Sequence, residues 1–105
     1  MTTRLKLSTR RGSDGTPVVT AVGEIDLSNA DSFRDALGRA APDGGRLVVD
    51  LTAVQYLDSA GLTVLFAHLS RIQLIASPLL APVLTISGLA DITSVREPGD
   101  QDGGA

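Results

Sequence analysis

Residues 46–69 read RLVVDLTAVQYLDSAGLTVLFAHL, and the change of hydrophobic spacing inside this run decides the fold. Leu47, Val48 and Val49 form a short apolar stretch rich in β-branched residues that stops at Asp50, the pattern of a strand buried on both faces. From Leu62 onward the apolar residues fall at Leu62, Leu65, Phe66 and Leu69, spacings that place them on one stripe of a helix. Between the two lies Asp58-Ser59-Ala60-Gly61. There Asp58 offers an N-cap carboxylate, and Ser59 falls in the first turn, beside backbone N–H groups that lack intrahelical partners.

Upstream of this unit, Leu5, Leu7 and Thr9 alternate with Lys6 and Ser8, which predicts a half-buried edge strand. Gly12-Ser13-Asp14-Gly15 then marks a turn, and Pro17 opens a second strand through Val22, so the two strands form an antiparallel hairpin. Gly23-Glu24-Ile25-Asp26-Leu27-Ser28 leads into a helix predicted from Asn29 to Ala40. Ser28, three residues before Asp31, makes a capping-box arrangement with Asp in place of Glu. Phe33, Ala36, Leu37 and Ala40 share one face of that helix, and Pro42-Asp43-Gly44-Gly45 ends it.

Downstream, Arg71 passes almost directly into Ile72–Ala76, a short strand. Leu80, Val83, Leu84 and Ser87 carry a helical pattern that Pro82 restricts to a start near Ala81, with Gly88 at its C-terminal end. A last strand is predicted over Ile92–Val95, and residues 97–105, without an apolar anchor, read as a disordered tail. The order β-β-α-β-α-β-α-β describes an α/β fold in one domain, residues 1–96. Its mixed four- to five-stranded sheet carries helices mainly on one face, joined by right-handed crossovers. Asp26, Asp50 and the Asp58-Ser59 pair are then expected on one rim, at the C-terminal ends of the parallel strands.

The composition narrows the function. In 105 residues, 43% are apolar and 20% charged, with no Trp, one Tyr and two Phe, so the core is aliphatic. Nine basic and twelve acidic residues give net −3 with scattered charge, which leaves no basic stripe for nucleic acid. No cysteine excludes disulfides and thiolate metal sites, and a single histidine leaves too few ligands for a His-based zinc site. The N-terminus has no signal-peptide core, and no apolar run is long enough to span a bilayer, so no membrane contact and a cytoplasmic location are expected.

Catalysis finds no support. A Ser59 nucleophile with His68 as base would need the two side by side, yet nine residues of helix separate them by roughly 13 Å of rise and about half a turn. No G-x-S-x-G elbow surrounds Ser59. Asp50 at the end of an apolar strand invites comparison with the phosphoacceptor of receiver domains, but those need a late lysine, and the only lysine is Lys6. Neither GxxxxGK[ST] nor GxGxxG occurs, so any ATP is bound by a partner and no cofactor is expected. What remains is Ser59 as a substrate. A phosphoryl group there adds about −1.5 to −2 charges at a helix start, where the macrodipole favours an anion by roughly 0.3–1 kcal/mol. With Asp58 adjacent and Asp26 near, a docking partner would meet a negative patch.

The run LVVDLTAVQYLDSAGLTVL resembles the STAS domain of bacterial anti-sigma factor antagonists. GEIDLSNADSF at residues 23–33 is similar to that family's strand-to-helix segment, DSAG at 58–61 to its D-S-[SA]-G phosphorylation motif, and SGLADI at 87–92 to its last helix. The resemblance implies a non-enzymatic protein that binds an anti-sigma factor with serine kinase activity and so frees a sigma factor. The partner's ATP would phosphorylate Ser59 to end binding, and a serine phosphatase would reverse the change. It also implies a partner-binding set of Asp26, Ser28, Asn29, Asp58, Ser59, Ala60 and Gly61. The plainer roles of these residues are capping and loop hydrogen bonding, and for Gly61 either close backbone approach or packing. A STAS scaffold or ligand-sensing module that works without phosphorylation is the alternative. One departure is the short connection Leu69-Ser70-Arg71, where many relatives carry a longer second helix and a Gly-containing turn.

Overall fold

Two strands joined by Gly12–Gly15 zip into the expected antiparallel hairpin: β1 (Leu5–Arg11) pairs with β2 (Pro17–Ile25), Leu5 opposite Gly23 and Arg11 opposite Pro17. The computed structural model describes residues 5–80, 82 and 94–96. The turn is closed by Thr16 N donating to Asp14 Oδ1 (2.9 Å) and by Arg11 Nη1 donating to the Gly15 carbonyl (2.7 Å). The chain continues through α1 (Ala30–Ala40), β3 (Leu47–Leu57), α2 (Ser59–Ala67), a 3-10 turn at Leu69–Arg71, β4 (Ile72–Ala76) and β5 (Ser94–Arg96). The strands lie in the order β1-β2-β3-β4-β5, antiparallel at the first pair and parallel at the other three. This is the expected mixed α/β sheet. The helix predicted from Ala81 and the tail at 97–105 fall almost wholly outside the described residues.

One face of the sheet carries the core. Val19, Ala21 and Ile25 of β2, Leu47, Val49 and Leu51 of β3, and Ile72, Leu74 and Ala76 of β4 are buried with Phe33 and Leu37 of α1 and Val64 and Leu65 of α2. Complete burial of a side chain such as Phe33 or Leu37 contributes about 1.5–3 kcal/mol. Residues between these positions, such as Val48, Asp50, Gln73 and Ile75, are only half-buried. Among the described residues the helices cover the central strand on one side and its other face is only half-buried, whereas its apolar run predicts burial on both faces.

β3 also runs through Asp50 to Leu57 instead of stopping there. Its buried residues step by two at Leu47, Val49 and Leu51, then by three to Val54 and Leu57. The register with β2 explains the change. Thr20 pairs with Asp50 but Val22 with Ala53, and Gly23 pairs with Val54 but Glu24 with Tyr56, so β3 holds one extra residue at each of two bulges. At the first, Asp50 Oδ1 accepts from Thr52 N (2.9 Å) and Thr52 Oγ1 (2.7 Å), which replaces a ladder bond with a side chain. Opposite the second, Gly23 adopts φ +113°, open to glycine alone at little cost. The bulges keep apolar side chains on the helix-covered face as far as Leu57, and so deliver Asp58 to the sheet's rim.

Candidate functional site

The rim is built where β2 and β3 end side by side. Ile25 pairs with Leu57, and Asp58 N donates to the Ile25 carbonyl (3.2 Å), so Asp26 and Asp58 leave adjacent strands at the same level. Asp50 is not with them: it sits mid-strand between Thr20 and Ile75, because β3 continues past it. The loop after β2 is knitted by its own polar groups. Asp26 Oδ1 accepts from both Ser28 N and Ser28 Oγ, Asp26 N donates to Asn29 Oδ1 (2.9 Å), and Asn29 Nδ2 donates to the Glu24 carbonyl (2.9 Å). These bonds overturn the capping box predicted for Ser28. Its hydroxyl serves Asp26, the N-cap of α1 is Asn29 with no side-chain cap bond, and Asp31 pairs instead with Arg34 on the exposed helix surface.

Asp58 caps α2 as its position predicts. Its Oδ1 accepts from Ala60 N (2.8 Å) and Gly61 N (3.3 Å), while its carbonyl takes Leu62 N (3.0 Å). Ser59 is the first helical residue; it is exposed, and its hydroxyl has no hydrogen-bond partner among the described residues. The N–H groups of Ala60 and Gly61, expected to be open to an anion, are therefore already held by a carboxylate. His68 stands at the far end of α2 with Nδ1 donating to the Val64 carbonyl (2.9 Å), so it does not face Ser59.

Gly61 is buried, and its role is packing. A Cβ built there would lie 2.4 Å from Leu57 Cδ1 and 2.8 Å from Ile25 Cγ2, so the bare backbone lets α2 seat directly on the ends of β2 and β3. Close seating sets the helix rotation. The buried positions are Gly61, Val64 and Leu65, one residue before most of the predicted stripe, which is about 100° of turn. Phe66 accordingly points outward and is 38% exposed, and Leu62 is half-buried. Leu69 lies beyond the helix, in the 3-10 turn.

A family model for the STAS domain matches residues 9–96. The chain belongs to the STAS domain family. It is similar to the anti-sigma-F factor antagonist RsfB of two Mycobacterium tuberculosis strains, 40% identical over 60 residues, covering 56% of this chain and 49% of each relative. The chain thus spans about half the length of the curated relatives it matches. Among solved structures, an anti-sigma factor antagonist from Mycobacterium paratuberculosis superposes with a TM-score of 0.80 at 28% identity, over 89% of this chain and 86% of that one. SpoIIAA in its unphosphorylated form, at 17% identity, shares the fold with a TM-score of 0.69 over 90% and 91% of the two chains.

In this STAS domain the rim carries more than its polar residues. Leu27, between Asp26 and Ser28, is 82% exposed. Ser59, Leu62, Thr63 and Phe66 are spaced along the outward side of α2, so the serine heads a largely apolar stripe. Sequence reading passed over Leu27 and placed Leu62 and Phe66 in the core. A signal was present: Ser59–Ala67 contains no charged residue, and a helix apolar on all sides calls for cover on all sides.

Proposed function

We propose that this chain is an anti-sigma factor antagonist that works by binding and not by catalysis. It captures an anti-sigma factor of the serine kinase type and thereby frees the sigma factor. The kinase, with its own bound ATP, phosphorylates Ser59 and is released, and a serine phosphatase restores the binding form in the cytoplasm. The observation that carries this reading is the exposed Ser59, heading an uncharged helix whose outer side offers Leu62 and Phe66 to a partner.

Physical chemistry supports both halves of the cycle. Burying a residue as exposed as Leu27 against a partner is worth about 1.5–3 kcal/mol. The knitted 26–29 loop and the capped α2 start are already ordered, which lowers the entropy cost of docking. A phosphate on Ser59 joins the carboxylate of Asp58. Two unit charges about 6 Å apart at an effective dielectric of about 20 repel by somewhat under 3 kcal/mol. Facing a partner carboxylate, that weakens binding by roughly ten- to a hundredfold.

The test is to incubate the chain with its cognate anti-sigma kinase and ATP, map the modified residue by mass spectrometry and titrate binding calorimetrically. Ser59 is expected to be the modified residue, Ser59→Ala to bind without being modified, and Ser59→Asp to bind at least about tenfold more weakly. Unchanged binding by Ser59→Asp, with no modification at Ser59, overturns the switch and leaves a scaffold or ligand-sensing STAS module.

A further inference from the structure

The sheet has an edge that nothing in the rim accounts for. Among the described residues β1 is the outer strand, paired with β2 on one side only, and from Ser8 to Arg11 every residue is exposed. Beside it, α1 leaves an open recess of about 310 Å³ lined by Leu7, Ser8 and Thr9 of the strand and Ala36, Arg39 and Ala40 of the helix. The small side chains at 36 and 40 hold the helix surface back from the strand edge, with Leu7 as a partly buried apolar floor. An unpaired strand edge lying next to a helix is the geometry in which an added strand gains main-chain hydrogen bonds and a pocket for alternate side chains.

Charge identifies what fits. The chain is net −3, yet β1 contains Lys6, Arg10 and Arg11 and no acidic residue. Lys6, Arg10 and Arg39 make no ion pair or hydrogen bond among the described residues. Lys6 and Arg10 share one side of the strand, opposite the side that Leu5 and Leu7 turn toward the core, whereas Arg39 stands on the recess side. Positive groups therefore flank the edge on both faces. Two copies pairing β1 to β1 would bring these cations together, so the edge rejects a second copy and favours an acidic strand.

We propose that the β1 edge and the β1–α1 recess form a second docking site, which takes an extended acidic segment of a partner protein as an added strand. A small aliphatic side chain of that segment lies over Leu7, Ala36 and Ala40, and its carboxylates face Arg39 on one side and Lys6 and Arg10 on the other. The recess lies by the C-terminal half of α1, whereas the Ser59 rim adjoins the N-terminal end of that helix. The proposal does not depend on the switch at Ser59.

The test uses the full chain, labelled with nitrogen-15, and a synthetic capped peptide of one Val flanked on each side by Glu residues, so that carboxylates project from both faces of the strand, with a Lys–Val peptide of the same pattern as the control. Saturable amide shifts across residues 5–11 with the acidic peptide are expected. They should come with slowed hydrogen exchange in β1 and with affinity that falls as salt rises from about 0.05 to about 0.5 M. Arg39→Glu, and separately Lys6→Glu with Arg10→Glu, should each weaken the peptide by about tenfold or more while circular dichroism and melting stay at the wild-type values. Three results overturn the proposal: no saturable shift, shifts confined to residues outside β1 and α1, or equal binding of the Lys–Val peptide. Concentration-dependent dimers with β1 protected in the absence of peptide also overturn it, because they make the edge a self-association surface.

Discussion

The tightest test of how the rim is built is Gly61→Ala. The added methyl would meet Leu57 Cδ1 at 2.4 Å, Ile25 Cγ2 at 2.8 Å and Ile25 Cβ at 3.4 Å. Leu57 can swing its terminal methyl aside, but Ile25 is fully buried and β-branched, with one preferred rotamer and nowhere to go. Overpacking of this kind costs about 1–3 kcal/mol. Alanine recovers up to about 0.5–1 kcal/mol over glycine inside a helix, and less in the first turn, so a net loss of about 1–2 kcal/mol remains. For a domain of this size that lowers Tm by about 5–15 °C. Urea titration should show a lower midpoint at unchanged m. Pairing the change with Ile25→Ala, which removes the Cγ2 methyl that cannot move aside, should give a double variant at least about 0.5 kcal/mol more stable than the sum of the singles. If Gly61→Ala is as stable as the parent, or the two changes simply add, the account of Gly61 as the seat of α2 is wrong.

Three further outcomes follow from single contacts. Asp58→Ala removes the acceptor for Ala60 N and Gly61 N and should cost about 1 kcal/mol in urea titration, with Asp58→Asn close to the parent. Arg71→Met keeps the stem but loses the bonds from Nη1 to the carbonyls of Ala41 and Gly45, both 3.1 Å; we expect a loss of about 1–3 kcal/mol and faster amide exchange at Gly44. The Thr16 N–H, followed by the Thr16 hydroxyl, holds the Asp14 carboxyl below its ordinary value of 3.8. Its contribution is therefore present above that pH and lost as pH falls through the lowered value, and Asp14→Asn should flatten the acid limb of a stability-against-pH curve by slightly lowering the neutral plateau while leaving the acid end unchanged.

Signals that act within a few residues were readable along the chain, and signals that depend on distant partners were not. The hairpin follows from the turn at Gly12–Gly15 and from Pro17, and the start of α2 follows from Asp58, because turn and cap residues act locally. The length of β3 was hidden because its bulges break the period of two, and only the register with β2 restores the sense of Leu51, Val54 and Leu57. The buried face of α2 was equally hidden. An uncharged SAGLTVLFA admits two stripes one residue apart, and contact of Gly61 with Ile25, far upstream, selects between them. Ser28 does not cap α1 because a cap at that position competes with the nearer carboxylate of Asp26, which takes both its N–H and its hydroxyl.

The same local bonding bears on how the proposed switch would work. A phosphate at a helix start ordinarily gains from free N–H groups, but here Asp58 already holds the two amides that a phosphate on Ser59 would approach. The modified side chain then either projects outward or displaces a carboxylate that stays beside it. In both cases charge at the helix entrance rises from about −1 to about −2.5 to −3 with little gain in helix stability. The backbone at that point is fixed independently, by Asp58 N on the Ile25 carbonyl and by Leu62 N on the Asp58 carbonyl. Loss of partner binding therefore needs no refolding of the STAS domain. On that proposal the chain would be turned off at its surface while its core, seated through Gly61, stays as it is.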